Sequence, residues 1–211
     1  EFAAGGGDAT GEIVLGSVGQ ISNSIDEFVT GALRNNLLGI PLDLATLNLA
    51  RGRDTGAPPI NLLRNQLFNE ASTAEKANPA FHDTMLKPYA SWSEFEQFLK
   101  HPLSVVNFMA AYGTHQTILD ATTAAGKREA ALDLYIDGRT GSATYDQDAF
   151  DFLHSTGQYA NDINNVHAVK TLWSTGSVTG LDSVDLWIGG LAEKINLFGG
   201  LLGSTFNYIF E

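Results

Sequence analysis

Apolar residues recur at helical spacing along most of this chain, and few segments alternate with period two. Ile21, Ile25, Phe28, Val29, Ala32, Leu33 and Leu37 predict a first helix that starts near Ser22 or Ser24. Gly39 stops it, with Pro41 just beyond. A second helical pattern covers 42–53, and the turn-forming run 54–59 ends it. The pattern returns over 61–68, before a polar loop at 69–88. Ser91 then caps a short helix through Leu99, and Glu94 completes a capping box. His101 and Pro102 interrupt ahead of a helix over 104–112. Further helices are predicted over 127–136 and, more briefly, 150–153, with a glycine-bearing turn region at 137–145 between them. The stretch 161–177 fits no single pattern, and helical regions open again at Ser183 and at Ser204. The expected class is mainly α with long loops, without internal repeat or clear second domain. Residues 1–20 read as a linker or vector remnant plus a lead-in, and 21–211 as one partial domain.

Composition narrows the function classes. The 211 residues are 44% hydrophobic, enough for a core and too apolar for a disordered chain. A formal charge of −12 argues against a nucleic-acid partner, whose phosphates would be repelled, and disfavours an anionic membrane surface. No membrane span is expected, because the longest apolar candidate, 188–202, is broken by glycines, Glu193, Lys194 and Asn196. The first residues lack a basic segment followed by an apolar one, so no signal peptide is expected in them. With no cysteine, disulfides, thiolate chemistry and cysteine-based zinc sites are excluded.

Two segments carry more. The first runs from Leu42 to Gly56 as LDLATLNLARGRDTG, with Asn48 and Arg51 three residues apart. The second runs from Val184 to Glu193 as VDLWIGGLAE, followed by GGLLGSTF from Gly199 to Phe206. The first resembles the proximal-side signature of animal-type haem peroxidases (the peroxidase–cyclooxygenase superfamily), D-L-x-x-L-N-x-x-R-x-R-D-H-G. The second resembles the same family's I-D-L-[WY]-x-G-G-x-x-E and G-P-T-F block. Order and separation fit the family, and the FMAAYGTH stretch from Phe108 to His115 is similar to bacterial members. The resemblance covers roughly Ile21 to Glu211 and implies the C-terminal portion of the helical peroxidase fold.

It also implies roles. In the family, the asparagine of the N-x-x-R helix accepts a hydrogen bond from the proximal histidine that binds the haem iron. Asn48 matches it. Arg51, nearly one turn on, matches the arginine that pairs with a haem propionate. Leu44 and Leu47 are implied to pack near the porphyrin. Arg53 and Asp54 are expected to be structural, as a salt bridge or turn cap. Asp185 and Trp187 are expected to close a corner of the core, and Glu193 to be solvated or salt-bridged.

Departures matter too. Thr55 stands where the motif has histidine, Pro58-Pro59-Ile60-Asn61 replaces L-P-G-Y-N, and Ser204 replaces a proline. The family's proximal and distal histidines lie N-terminal of the N-x-x-R helix, yet no histidine precedes Asn48. His82, His101, His115, His154 and His167 all follow it, and each is expected to be structural or at the surface. The resemblance therefore implies a fragment whose partner is the preceding half of the domain. The whole would be a secreted or cell-surface bacterial enzyme that reduces hydrogen peroxide and oxidises halide or small organic donors. The alternative is a haem-free binding or spacer module of a large bacterial surface protein.

Overall fold

The computed structural model describes residues 6–19, 24–35, 39–74, 86–160, 178–195 and 200–210. The fold is mainly α, as the periodicity predicts. In chain order the described helices are α1 (Gly6–Gly19), α2 (Gly31–Arg34), α3 (Leu44–Asp54), α4 (Ile60–Glu70), α5 (Trp92–Phe98) and α6 (Ser104–Tyr112). They continue with α7 (Gln116–Asp120), α8 (Ala124–Asp137), α9 (Gln147–His154), α10 (Leu186–Ala192) and α11 (Ser204–Phe210). Short 3₁₀ turns occupy Gly157–Tyr159 and Leu181–Ser183.

Side-chain caps explain several starts. Asp43 accepts from the Thr46 amide, Ser91 from Glu94, Thr123 from Gly126 and Asp146 from Ala149. The Ser91 half of the expected capping box at α5 forms, while the Glu94 carboxylate reaches back one residue past the cap, to the Ala90 amide at 2.5 Å. At the other end of α3, the Thr55 hydroxyl donates to the carbonyls of Arg51 and Gly52. The threonine that departs from the family motif thus closes the helix.

The core lies among α5, α6, α8 and α9. Trp92, Phe95, Val105, Val106, Met109, Ala131 and Phe152 are buried there. Ile60 of α4, with Leu181, Val184 and Ala192, extends this core toward α10. The α10 end is stitched on by backbone pairs. The Ile60 amide donates to the Val184 carbonyl at 2.9 Å, Lys100 to Ala192 at 2.8 Å, and Lys194 to Phe98 at 2.8 Å.

The N-terminal part departs from expectation. Among described residues, the helix expected from Ser22 or Ser24 to Gly39 is confined to Gly31–Arg34. Its apolar residues Ile25, Phe28 and Leu33 are exposed, so no burial rewards a helical stripe. Ile21 and Leu37 lie outside the described residues. A helix instead occupies Gly6–Gly19, where a glycine-rich lead-in gives little sign of one. Residues 75–85 of the polar loop and the ambiguous stretch 161–177 also lie outside the described residues.

Candidate functional site

Helix α3 puts Leu44, Asn48 and Arg51 on one stripe, because four- and three-residue steps return to the same face. Asn48 is half-buried and borders two cavities. The first, of about 460 Å³, is walled by Phe28, Val29, Leu33, Leu44 and Trp187. The second, of about 240 Å³, is walled by Leu49, Leu186, Trp187 and Phe206. Trp187 therefore faces Asn48 from α10 across both. The Asn48 amide makes no hydrogen bond among the described residues, so a half-buried acceptor and donor are left for a ligand. Arg51 is exposed, its guanidinium forms no ion pair among the described residues, and it borders neither cavity. Leu47 is half-buried and borders neither cavity as well.

Arg53 locks the two motif blocks together. Its Nε donates to Asp185 Oδ1 at 3.0 Å and its Nη2 to Oδ2 at 2.7 Å, a two-pronged contact. The Tyr112 hydroxyl donates to the same Oδ2 at 2.7 Å. The hydrogen bond to Asp185 raises the Arg53 guanidinium above its ordinary pKa. Burial, then the Asp185 carboxylate, pushes the Tyr112 phenol up. The salt bridge expected of Arg53 and the corner expected of Asp185 are one contact.

Glu193 is salt-bridged and buried, not solvated. It holds Arg64 Nη1 at 2.9 Å, Tyr89 Oη at 2.7 Å, Thr205 Oγ1 at 2.6 Å and the Thr205 amide at 2.8 Å. Sequence reasoning did not single out Arg64 or Asn61. Asn61 pins the 86–90 segment by donating to the Tyr89 carbonyl and accepting from the Tyr89 amide. The available signal was weak, since α4 also carries Asn65, Gln66, Asn69 and Glu70 and nothing in its pattern sets Asn61 and Arg64 apart.

The histidines follow separate courses. His101 Nδ1 sits 3.2 Å from Glu27, His115 Nε2 sits 2.9 Å from Asp148, and His154 Nδ1 sits 2.9 Å from the Phe150 carbonyl. His82 and His167 lie outside the described residues. Among the described residues no three histidine, aspartate or glutamate side chains converge as a metal site. No histidine among the described residues borders the cavities beside Asn48. The second cavity is walled mainly by apolar side chains, whereas Ser24, Asp26 and Thr30 also line the first.

The family model of animal haem peroxidases matches residues 4–125, which include all of α3. The chain belongs to the animal haem peroxidase family. Dual oxidase 1 of Caenorhabditis elegans is 31% identical over 114 residues, covering 52% of this chain and 6% of that protein. Peroxinectin A of Dictyostelium discoideum is 44% identical over 59 residues, covering 26% of this chain and 11% of that protein. The chain thus spans a small part of the relatives it matches. No solved structure matches it. The Val184–Phe206 block lies beyond the matched residues and is tied to them by Arg53 and Asp185. Among the described residues no helix is long and apolar enough to cross a membrane.

Proposed function

We propose that this chain forms the proximal-side wall of a haem peroxidase, secreted or held at a bacterial cell surface, and the C-terminal portion of its domain. The observation that carries the reading is the unspent Asn48 amide, set beside Trp187 at the edge of a cavity walled mainly by apolar side chains. Haem, when bound, supplies the cleavage of hydrogen peroxide and the oxidising equivalents passed to halide or small organic donors. The preceding half of the domain supplies the iron ligand and the distal acid–base group.

The residues of this chain act by position. The Asn48 side-chain oxygen accepts the second N–H of the ligating imidazole and fixes its orientation without adding charge. Leu44 would exclude water from the porphyrin flank, with Leu47, which borders neither cavity, packing behind it. Arg51, exposed and unpaired among the described residues, would clamp a propionate. Arg53 with Asp185 keeps α3 against α10, so the amide holds its place.

The test uses the full protein loaded with haem. Asn48→Ala should shift the iron–histidine stretch in resonance Raman spectra and lower peroxidase turnover roughly 10- to 100-fold, the usual cost of losing such a partner. Arg51→Ala should speed haem loss while leaving that stretch in place. An unchanged stretch in Asn48→Ala would remove the orienting role. A second reading, a haem-free binding or spacer module, draws on the buried core centred on α5, α6, α8 and α9. A full protein that folds and never takes up haem would establish it.

A further inference from the structure

One short segment, 24–30, walls the first cavity beside Asn48 through Ser24, Asp26, Phe28, Val29 and Thr30, facing α3 and α10. Phe28 also borders a further cavity of about 380 Å³, which Leu49, Tyr112 and Ile188 line from α3, α6 and α10. The same few residues therefore close two cavities along α3 and α10.

This segment is held by polar contacts rather than by burial. None of residues 24–35 is buried as a whole, and Ile25 and Phe28 are 45% and 60% exposed. None of them belongs to the core centred on α5, α6, α8 and α9. Among the described residues, no backbone–backbone hydrogen bond joins 24–30 to an element other than α2. The one side chain withdrawn from solvent is Glu27, 7% exposed. Its carboxylate accepts from the Ser104 hydroxyl at the start of α6 and lies 3.2 Å from His101 Nδ1. Close by, Lys100 Nζ donates to the Ile25 carbonyl, and the Phe28 ring sits 5.1 Å from the His101 ring. All of these contacts fall on the 100–104 turn. Beyond the segment, α2 is tied to the cap of α3, with Arg34 Nε 3.7 Å from the Asp43 carboxylate. The segment is thus fixed through α2 on one side and fastened to the 100–104 turn by a latch on the other. Releasing the latch would free it without opening the core, and local openings of this kind lie far below global unfolding in free energy.

We propose that residues 24–30 form a strap that swings away from α3 and α10, with Glu27 as its latch, and so controls access to Asn48 from this side. The strap is a property of the fold and does not depend on which ligand meets Asn48.

The chain has no cysteine, so a single introduced thiol reports on one place. Ala45 lines the first cavity from α3, opposite the strap. Ala45→Cys is labelled with a bulky maleimide, and Ala143→Cys, exposed between α8 and α9, serves as the control. With the latch intact, Ala45→Cys should react more slowly than Ala143→Cys, and its rate should rise with urea along a shallower slope than global unfolding. Adding Glu27→Ala should speed labelling at Ala45→Cys roughly tenfold to hundredfold, the worth of hydrogen bonds to a charged group. Ser104→Ala, which removes one donor, should give a smaller part of that gain, and neither change should alter the control. The proposal is overturned if Ala45→Cys reacts as fast as the control with the latch intact, if its urea slope equals that of global unfolding, or if a folded Glu27→Ala chain labels at the original rate. The first two outcomes are read with Glu27 in place, so they decide the matter even if Glu27→Ala does not fold.

Discussion

Glu193 shows what a single buried charge demands. Its side chain is 1% exposed and its Arg64 partner 4%. Every oxygen of the carboxylate is engaged by Arg64, Tyr89, Ser204 or Thr205. Arg64 also packs over the Tyr89 ring at 4.2 Å. Pairing offsets most of the desolvation cost, so the pair adds little net stability, whereas removing one member strands the other. Glu193→Ala should therefore destabilise the fold by about 3–5 kcal/mol in urea unfolding. The double variant Arg64→Met with Glu193→Leu should recover most of that loss. A Glu193→Ala cost under about 1 kcal/mol would mean that water reaches the pair. Nothing in the local sequence around Glu193 announces this partner, because Arg64 lies in a different helix far back in the chain.

At the scale of elements, close approach between helices sets the tolerances. Gly138 ends α8 where α9 crosses, and a Cβ there would lie 2.7 Å from the Ala149 carbonyl oxygen and 2.7 Å from Leu153 Cδ1. The first of these is backbone and cannot yield without moving α9. Gly138→Ala should cost about 1–3 kcal/mol, an overpacking penalty, and thermal unfolding would read it as a lower Tm. An unchanged Tm would show that α9 shifts freely. Helices α5 and α6 were legible in the sequence because their apolar residues meet the core, and α5 has a local cap in Ser91 as well, whereas α3 starts at the Asp43 cap and buries no residue. The short α7 was not legible, since five residues give too little periodicity. Its start depends on the His115 ring accepting from the Thr117 amide. The stripe from Ile21 to Leu37 misled in the opposite sense. A periodic pattern predicts a helix only where something buries it, and Phe28 remains 60% exposed. The candidate site divides similarly. Asn48 and Leu44 could be found from a motif, while the pairing of Trp187 with Asn48 required the packing of α10 on α3.

At the scale of the whole molecule, four tyrosine hydroxyls among the described residues donate to a carboxylate. Tyr89 reaches Glu193, Tyr112 reaches Asp185, Tyr135 reaches Glu96 and Tyr159 reaches Asp148. The first three bonds join elements distant in sequence, so these tyrosines act as ties through the fold. In all four, burial comes first and the adjacent carboxylate adds to it, and every phenol is raised above its ordinary range. Tyr135 is pushed up to about 12. The consequence for stability has a definite sign. An unfolded tyrosine ionises near pH 10, so above that pH the unfolded chain sheds protons that the folded chain retains. The contribution of these ties is complete below about pH 10 and declines as pH rises toward the folded values. Urea midpoints should therefore hold level up to about pH 9 and fall between about pH 10 and 12. Tyr112→Phe should flatten that fall, because it removes an ionisable tie while keeping the ring packed. The phenolate absorbance of the folded chain should lag that of the urea-unfolded chain on the pH axis. If the two absorbance curves coincide while the fold stays intact, the tyrosines are not raised, and alkaline loss of structure must come from general repulsion on a chain of net charge −12. Salt separates the two causes. Screening at molar ionic strength relieves diffuse repulsion and leaves a hydrogen bond between buried partners almost untouched, so the predicted fall should persist in high salt.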